Sequence, residues 1–400
     1  MKLPYLIIGW LMLLTLLPRA AAQDATWSAG TEINGVRYHP IEELRSFYKL
    51  NAGTKTTRKG AYGFGDADVS LELGPGSREL SIGGVMLTLA RPLQQDSAGN
   101  WLISREDWVK WVDPILRPTY IAGRTAVKTV IIDPGHGGHD AGVSSHAIPE
   151  ADITLRIAHD LKEELEKQGL HVILTRSEDQ FLSDQQRVAT ACSEQQAIFL
   201  SLHLNSGRSD FRGSSVYTVA PAEPGAAVRP GNACDASHAA LAYALQNALI
   251  GSAGTADAGC HHAHFSLLSS ITCPAVWVEL GYATHAQEGE ALTTDAYQRS
   301  LARALAQGIA TYAHVADPAT QIPVQTPPPR VPVKQSVSTP TKTTTSSDSG
   351  SRSTQKTPQR STQKTTQRNT QKTPSRNTQK PTRRTPQKNN RTQPPKRSPR

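Results

Sequence analysis

Two histidines and two glutamates stand where a reaction would need them. The β-branched run Val127–Ile132 leads into Asp133 and, after Pro-Gly, His136. The run Ala197–Leu202 leads into His203 and Asn205, and Ala275–Val278 leads into Glu279. Glu150 opens the helical pattern that follows the first run. Two imidazoles and a carboxylate arriving from separate elements are a way to hold catalytic Zn2+ with one position open. A further carboxylate nearby could then move protons. Plainer readings stay open. A histidine at a strand end is commonly an ordinary surface or hydrogen-bonded residue, and the chain has 13. Glu150 also stands where a helix dipole favours an acid. Glu279 is harder to set aside, because a carboxylate straight after Pro-Ala-Val-Trp-Val is costly to bury alone.

The elements that must position these residues alternate in type. Strand patterns at Val127–Asp133, His171–Thr175, Ala197–His203, Ser215–Ala220 and Ala275–Glu279 are interleaved with helical stripes. Those stripes fall at Glu150–Gln168, Asp184–Gln195, Ser237–Leu249 and Tyr297–Ala313, the first closed by Gly169. The alternation predicts an α/β fold, a mostly parallel twisted sheet flanked by helices, over residues 127–315. Ligands bind at the carboxyl edge of such a sheet. Residues 23–120 read as a small β-rich α+β unit, with a tight hairpin turn at Asn34-Gly35 and a turn at Gly74-Pro75-Gly76. Two helical pieces accompany it, Ile41–Leu50 and Ser104–Val112, the latter with a Ser-x-x-Asp start. The 221–236 loop, holding Pro221, Pro224, Pro230 and Gly231, is the nearest candidate for a lid.

Both ends differ in kind from this middle. Lys2, the apolar run Tyr5–Leu17 and Ala20-Ala21-Ala22 have the layout of a signal peptide over residues 1–22. That predicts export to the periplasm or the cell-wall space. No later stretch reaches the roughly 18 apolar residues of a membrane span. From Arg330 to Arg400 there are 18 Lys and Arg against one acid, Asp348, in an eight-residue repeat beginning Ser353-Thr-Gln-Lys. The rest of the chain, with 25 basic and 33 acidic residues, is net acidic. Residues 317–400 bury too little apolar surface to offset chain entropy and read as a disordered basic tail. Even charge spacing suits envelope polyanions, with a solvated spacer as the alternative. The lack of aromatics for base stacking argues against nucleic acid. Of the four cysteines, Cys234 and Cys260 are the favoured bridge, while Cys192 and Cys273 read as small buried hydrophobes. The missing Cys-x-x-Cys pair argues against a four-cysteine zinc site.

The segment Val130-Ile-Ile-Asp-Pro-Gly-His-Gly-Gly-His-Asp-Ala-Gly resembles the opening motif of the zinc-dependent N-acetylmuramoyl-L-alanine amidases (amidase type 3). Glu150, Leu174-Thr-Arg with Asp179, Leu182 with Arg187, and Phe199-Leu-Ser-Leu-His-Leu-Asn follow in the family's order. Cys273-Pro-Ala-Val-Trp-Val-Glu-Leu-Gly-Tyr is similar to its Pro-Ala-x-x-x-Glu-x-Gly-Phe pattern, with Tyr282 and His285 where Phe and Asn are usual. The resemblance implies zinc ligands His136, Glu150 and His203, a catalytic carboxylate at Glu279, and peptidoglycan as substrate. A zinc peptidase cutting the stem peptide, or a non-catalytic wall-binding protein, are the competing readings; four intact site residues argue against the latter. Ser144-Ser145-His146 departs within the glycine-rich stretch, and Cys260–His264 reads as a loop near the cleft. Ile33–Leu44 and Trp101–Trp108 resemble the small β-rich domain found beside copper amine oxidases and in cell-wall hydrolases. That implies a wall- or partner-binding module or a spacer, without a copper-site arrangement.

Overall fold

The computed structural model describes residues 28–50, 78–220 and 234–320, and the backbone alone of the strands Thr54–Lys55, Tyr62–Gly65 and Ser70–Leu73. The signal-like segment 1–22, the turn at 74–76, most of the lid candidate (221–233) and the tail beyond 320 lie outside the described residues.

Strands β1 (Thr129–Pro134), β2 (His171–Leu174), β3 (Ala197–Asn205), β4 (Ser214–Val219), β5 (Asp257–Ala263) and β6 (Ala275–Tyr282) lie in the order β2-β1-β3-β6-β4-β5. All neighbours run parallel except β6 and β4. Strands β1 and β3 read as unbroken apolar runs because both faces are covered. Val130 and Ile132 pack under α1 (Glu150–Lys167), in a core that also takes in α3 (Asp235–Ala248) and α6 (Asp295–Ala316). Ile131, Phe199 and Ala275 face the other way, toward α2 (Asp184–Cys192) and α4 (Ser266–Ser270). In α1 the fourfold spacing of Ile153, Ile157, Leu161 and Leu165 makes one fully buried stripe. Each such side chain contributes about 1.5–3 kcal/mol on burial. The helix ends as its sequence predicts. Gly169 takes φ +82°, and the Leu170 N–H returns to Leu165 O at 3.2 Å.

The N-terminal region is β-rich. Thr31–Ile33, Val36–Pro40, Trp101–Ser104 and Gln94–Gln95 form a four-stranded sheet, with Asn34-Gly35 at its hairpin turn. Ser104 caps the next helical stretch by accepting the Asp107 N–H at 2.9 Å, the Ser-x-x-Asp start read from sequence. The strands Glu79–Ile82 and Val85–Thr88 instead join the large sheet, Leu87 pairing with Cys260 of β5. Leu80, Ile82, Leu87 and Trp111 share one core with Leu241 and Leu245 of α3.

Three expectations need correction. Residues 257–263 are strand β5, not loop: its polar-looking histidines are held edge to edge between β4 and the N-terminal strand. The Cys234–Cys260 bridge is not formed, because Cys260 is a buried thiol on β5 whose Sγ donates to Ala242 O at 3.7 Å. Cys192 is exposed and not a buried hydrophobe, whereas Cys273 is half-buried and packs against the core around Phe199 and Ala275.

Candidate metal centre and active site

At the carboxyl edge of β1, β3 and β6 the chain gathers His136, His203, Glu150 and Glu279. His136 lies two residues beyond β1 with φ +60° in a turn whose carbonyls are clamped from behind. Arg176 donates to Pro134 O at 2.9 Å and to Gly135 O and Ala151 O at 2.8 Å. Arg187, on α2, donates to His136 O at 2.9 Å and pairs with buried Asp133, which also accepts from Thr175 and Ser201. Asp133 is therefore a buried support of the turn and not part of the cluster. Asn205 also stays outside it, its amide oxygen accepting the Ser206 N–H.

Glu150 is the first residue of α1, 2% exposed, and its carboxylate is the hub. Oε1 lies 3.2 Å from His136 Nε2, 3.0 Å from His203 Nδ1 and 2.8 Å from the Leu204 amide N. Oε2 accepts the Val143 N–H at 3.0 Å. Burial opposes its charge, but the bonds from His136, His203 and Leu204 outweigh it and pull the carboxyl down to about 2. Burial pushes His203 below the usual imidazole range despite Glu150. For His136 burial also lowers, yet its bonds to Glu150 and Asp140 outweigh it and raise the ring. Asp140 Oδ2 sits 2.9 Å from His136 Nδ1 and orients that ring from outside.

Whether these residues suit a metal can be tested on their chemistry. One ligand atom from each of His136, Glu150 and His203 lies within 4.8 Å of the others, the only such group among the described residues. Two imidazole nitrogens and a carboxylate oxygen form a donor set suited to zinc, and the set is crowded with polar atoms that one cation would satisfy together. Close approach at Gly135 keeps it so: a Cβ there would fall 2.2 Å from His203 Cε1.

Glu279, on β6, pairs across the sheet with His203 on one side and Ser215 on the other. Its Oε1 accepts the Trp277 indole N–H at 2.8 Å, and Oε2 is buried without a hydrogen-bond partner among the described residues. Burial pushes this carboxyl up to about 7, only partly offset by the Trp277 bond. Sequence reasoning singled out neither Arg176 as a clamp nor Trp277. The signal for Trp277 was available, since residues i and i+2 of a strand share a face.

His261 and His262 contribute nothing to this edge. His261 is bound to Thr88 at 2.8 Å and to Ala258 O at 2.7 Å, and His262 to Thr218 at 3.0 Å. His285, where the resemblance expects Asn, does what Asn would do. Its Nδ1 accepts the Glu288 N–H at 3.1 Å and caps α5 (Ala286–Leu292). Ser144–Ser145 pairs with Ile148–Pro149 through a turn in which His146 and Ala147 take φ +47° and +65°.

An α/β sheet whose carboxyl edge gathers two imidazoles and two buried carboxylates is an arrangement suited to hydrolytic chemistry. The chain belongs to the N-acetylmuramoyl-L-alanine amidase family, whose model matches residues 130–311, and it is an amidase. It is 31% identical over 183 residues to the N-acetylmuramoyl-L-alanine amidase CwlM of Bacillus licheniformis, covering 45% of this chain and 67% of that one. It is 32% identical over 186 residues to the amidase LytC of Bacillus subtilis, covering 46% of this chain but only 35% of LytC. Among solved structures, the catalytic domain of CwlV, an N-acetylmuramoyl-L-alanine amidase from Bacillus (Paenibacillus) polymyxa var. colistinus, is 30% identical. It covers 47% of this chain and 99% of that one, with a TM-score of 0.41. The family match stops short of the N-terminal β-rich region.

Proposed function

We propose that this protein hydrolyses the amide bond between the lactyl group of muramic acid and L-alanine in peptidoglycan, using zinc held by His136, Glu150 and His203. The carrying observation is the convergence of those three ligand atoms beside Glu279 at one sheet edge. Zinc bound there supplies Lewis acidity, polarising a carbonyl oxygen and making a water more acidic. Glu279 takes the proton from the attacking water and returns it to the departing amine of L-alanine. A carboxyl held near 7 by burial suits both transfers near neutral pH. Asp140 holds the His136 ring from outside, and Glu150 ties the two imidazoles together. The work is done outside the cytoplasm, a reading supported by the export layout of Lys2 and Tyr5–Leu17. The basic residues from Arg330 onward would attract anionic envelope polymers in a salt-dependent way.

The test is metal analysis of the purified full chain together with mass analysis of digested muropeptides. About one zinc per chain and free glycan plus intact stem peptide beginning with L-alanine are expected. Products cut within the stem peptide would overturn the proposal. Glu279→Gln should keep zinc while turnover falls by at least about a hundredfold. His203→Ala should lose both, and a chelator should reproduce that loss reversibly.

A further inference from the structure

The two oxygens of Glu279 are not equivalent. Oε1 lies 2.8 Å from the Trp277 indole nitrogen, whereas Oε2 is buried and bonded to nothing among the described residues. The donor is held rigidly. Its ring stacks on His203 with centroids 3.5 Å apart at 9°, and on Phe265 with centroids 4.5 Å apart at 21°. An indole packed on both faces cannot swing its N–H away without breaking both stacks. Trp277 and Glu279 are neighbours on one face of β6, and His203 is opposite Glu279 on β3, so the three side chains form one block.

An indole N–H only donates; it has no lone pair to offer and does not titrate near neutral pH. It therefore occupies Oε1 as an acceptor whether Glu279 is charged or neutral. The carbonyl oxygen of a neutral carboxyl is the better acceptor of that N–H, so a proton on Glu279 is favoured on Oε2. We propose that Trp277 is a positioning residue that commits Oε2 as the proton-transferring atom of Glu279 and ties its carboxylate to the face of His203. This rests on the reading of Glu279 as the proton carrier. The proton balance is closed: Oε2 receives it from water and yields it to the leaving amine, and Trp277 keeps its own throughout. The Pro-Ala-x-x-x-Glu pattern does not specify position 277.

The test compares full-length wild type with Trp277→Phe, Glu279→Gln, and a chain carrying β-(3-benzothienyl)alanine at 277, which keeps the ring shape and removes only the N–H. Readouts are kcat and KM on a disaccharide-peptide muropeptide, zinc per chain, and the 1H–15N indole signal of residue 277. Expected for both 277 variants is a kcat about tenfold to a hundredfold lower, the scale of one hydrogen bond to a charged group, with KM and zinc content changed less than about twofold. The Trp277 indole signal should lie at low field in the wild type and move in Glu279→Gln. Normal kcat in the benzothienyl chain would overturn the proposal, as would an indole signal indifferent to Glu279→Gln. So would a loss of kcat that merely tracks loss of zinc. Retained turnover in Glu279→Gln would instead sink the reading of Glu279 itself. An inactive Glu279→Gln beside a fully active benzothienyl chain would sink the positioning role alone.

Discussion

Glu150 accepts from both imidazoles and from a backbone amide, so its charge is what holds the cluster together. Glu150→Gln keeps the volume but puts an amide where two rings need an acceptor or a metal needs an anion. Zinc affinity should fall at least about tenfold, read by chelator competition, with little change in secondary structure by circular dichroism. Gly135→Ala should act on the same site by crowding, since its Cβ would intrude on the His203 ring; zinc stoichiometry below that of wild type is the expected result. His238 shows a purely structural use of an imidazole. Buried in α3, its Nδ1 accepts the Ala275 N–H at 2.7 Å, and burial lowers its pKa to about 4. The unfolded chain takes up a proton near pH 6.5 that the folded chain refuses until about 4. Stability should therefore fall as pH drops through that window, by up to about 3 kcal/mol. In His238→Gln that part of the pH dependence should vanish from denaturant unfolding measured at pH 7 and pH 4.5.

At the scale of elements, the turn after β1 is held less by its own glycines than by two guanidinium groups reaching it from β2's far end and from α2. Asp133 and Arg187 are both buried, and removing one partner strands the other. Arg187→Leu should cost about 3–5 kcal/mol of unfolding free energy, checked by urea titration. It should also loosen His136, whose carbonyl loses its Arg187 bond. The helices bear on the site unequally. The N-terminus of α1 delivers Glu150, α2 delivers Arg187, and α5 is placed by the His285 cap. The motif residues Arg176 and Arg187 were visible in the sequence, but not their task. A guanidinium reads as a surface charge until the fold buries it against carbonyls.

Across the whole molecule, the large sheet runs from the amidase strands into the N-terminal region through β5 and Val85–Thr88. Cutting near residue 120 would uncover the β5 edge and apolar surface now covered by Leu80, Ile82, Leu87 and Trp111. A fragment of residues 127–316 should melt several degrees below the full chain in calorimetry and bind more of an apolar dye, an equal melting temperature being the contrary result. His262 belongs to this join: its ring lies 4.6 Å from that of Trp111, and burial lowers its pKa to about 3. The local His-rich stretch thus serves packing between regions, a role its sequence concealed because alternation along one edge-paired strand looks like a polar loop.

Hydrophobic period determined the β/α alternation and the buried stripe of α1, which depend on which residues share a face, while residue type alone determined the Ser104 cap and the Gly169 stop. The order of the motifs determined the family. The tertiary structure alone decided that Glu150 bridges two imidazoles, that one oxygen of Glu279 has no hydrogen-bond partner among the described residues, that Cys234 and Cys260 stay apart, and that the N-terminal strands extend the amidase sheet. Those features arise where segments distant in the chain meet and lose water. Local periodicity carries no record of which partner will be met, nor of how deeply a charge will be buried.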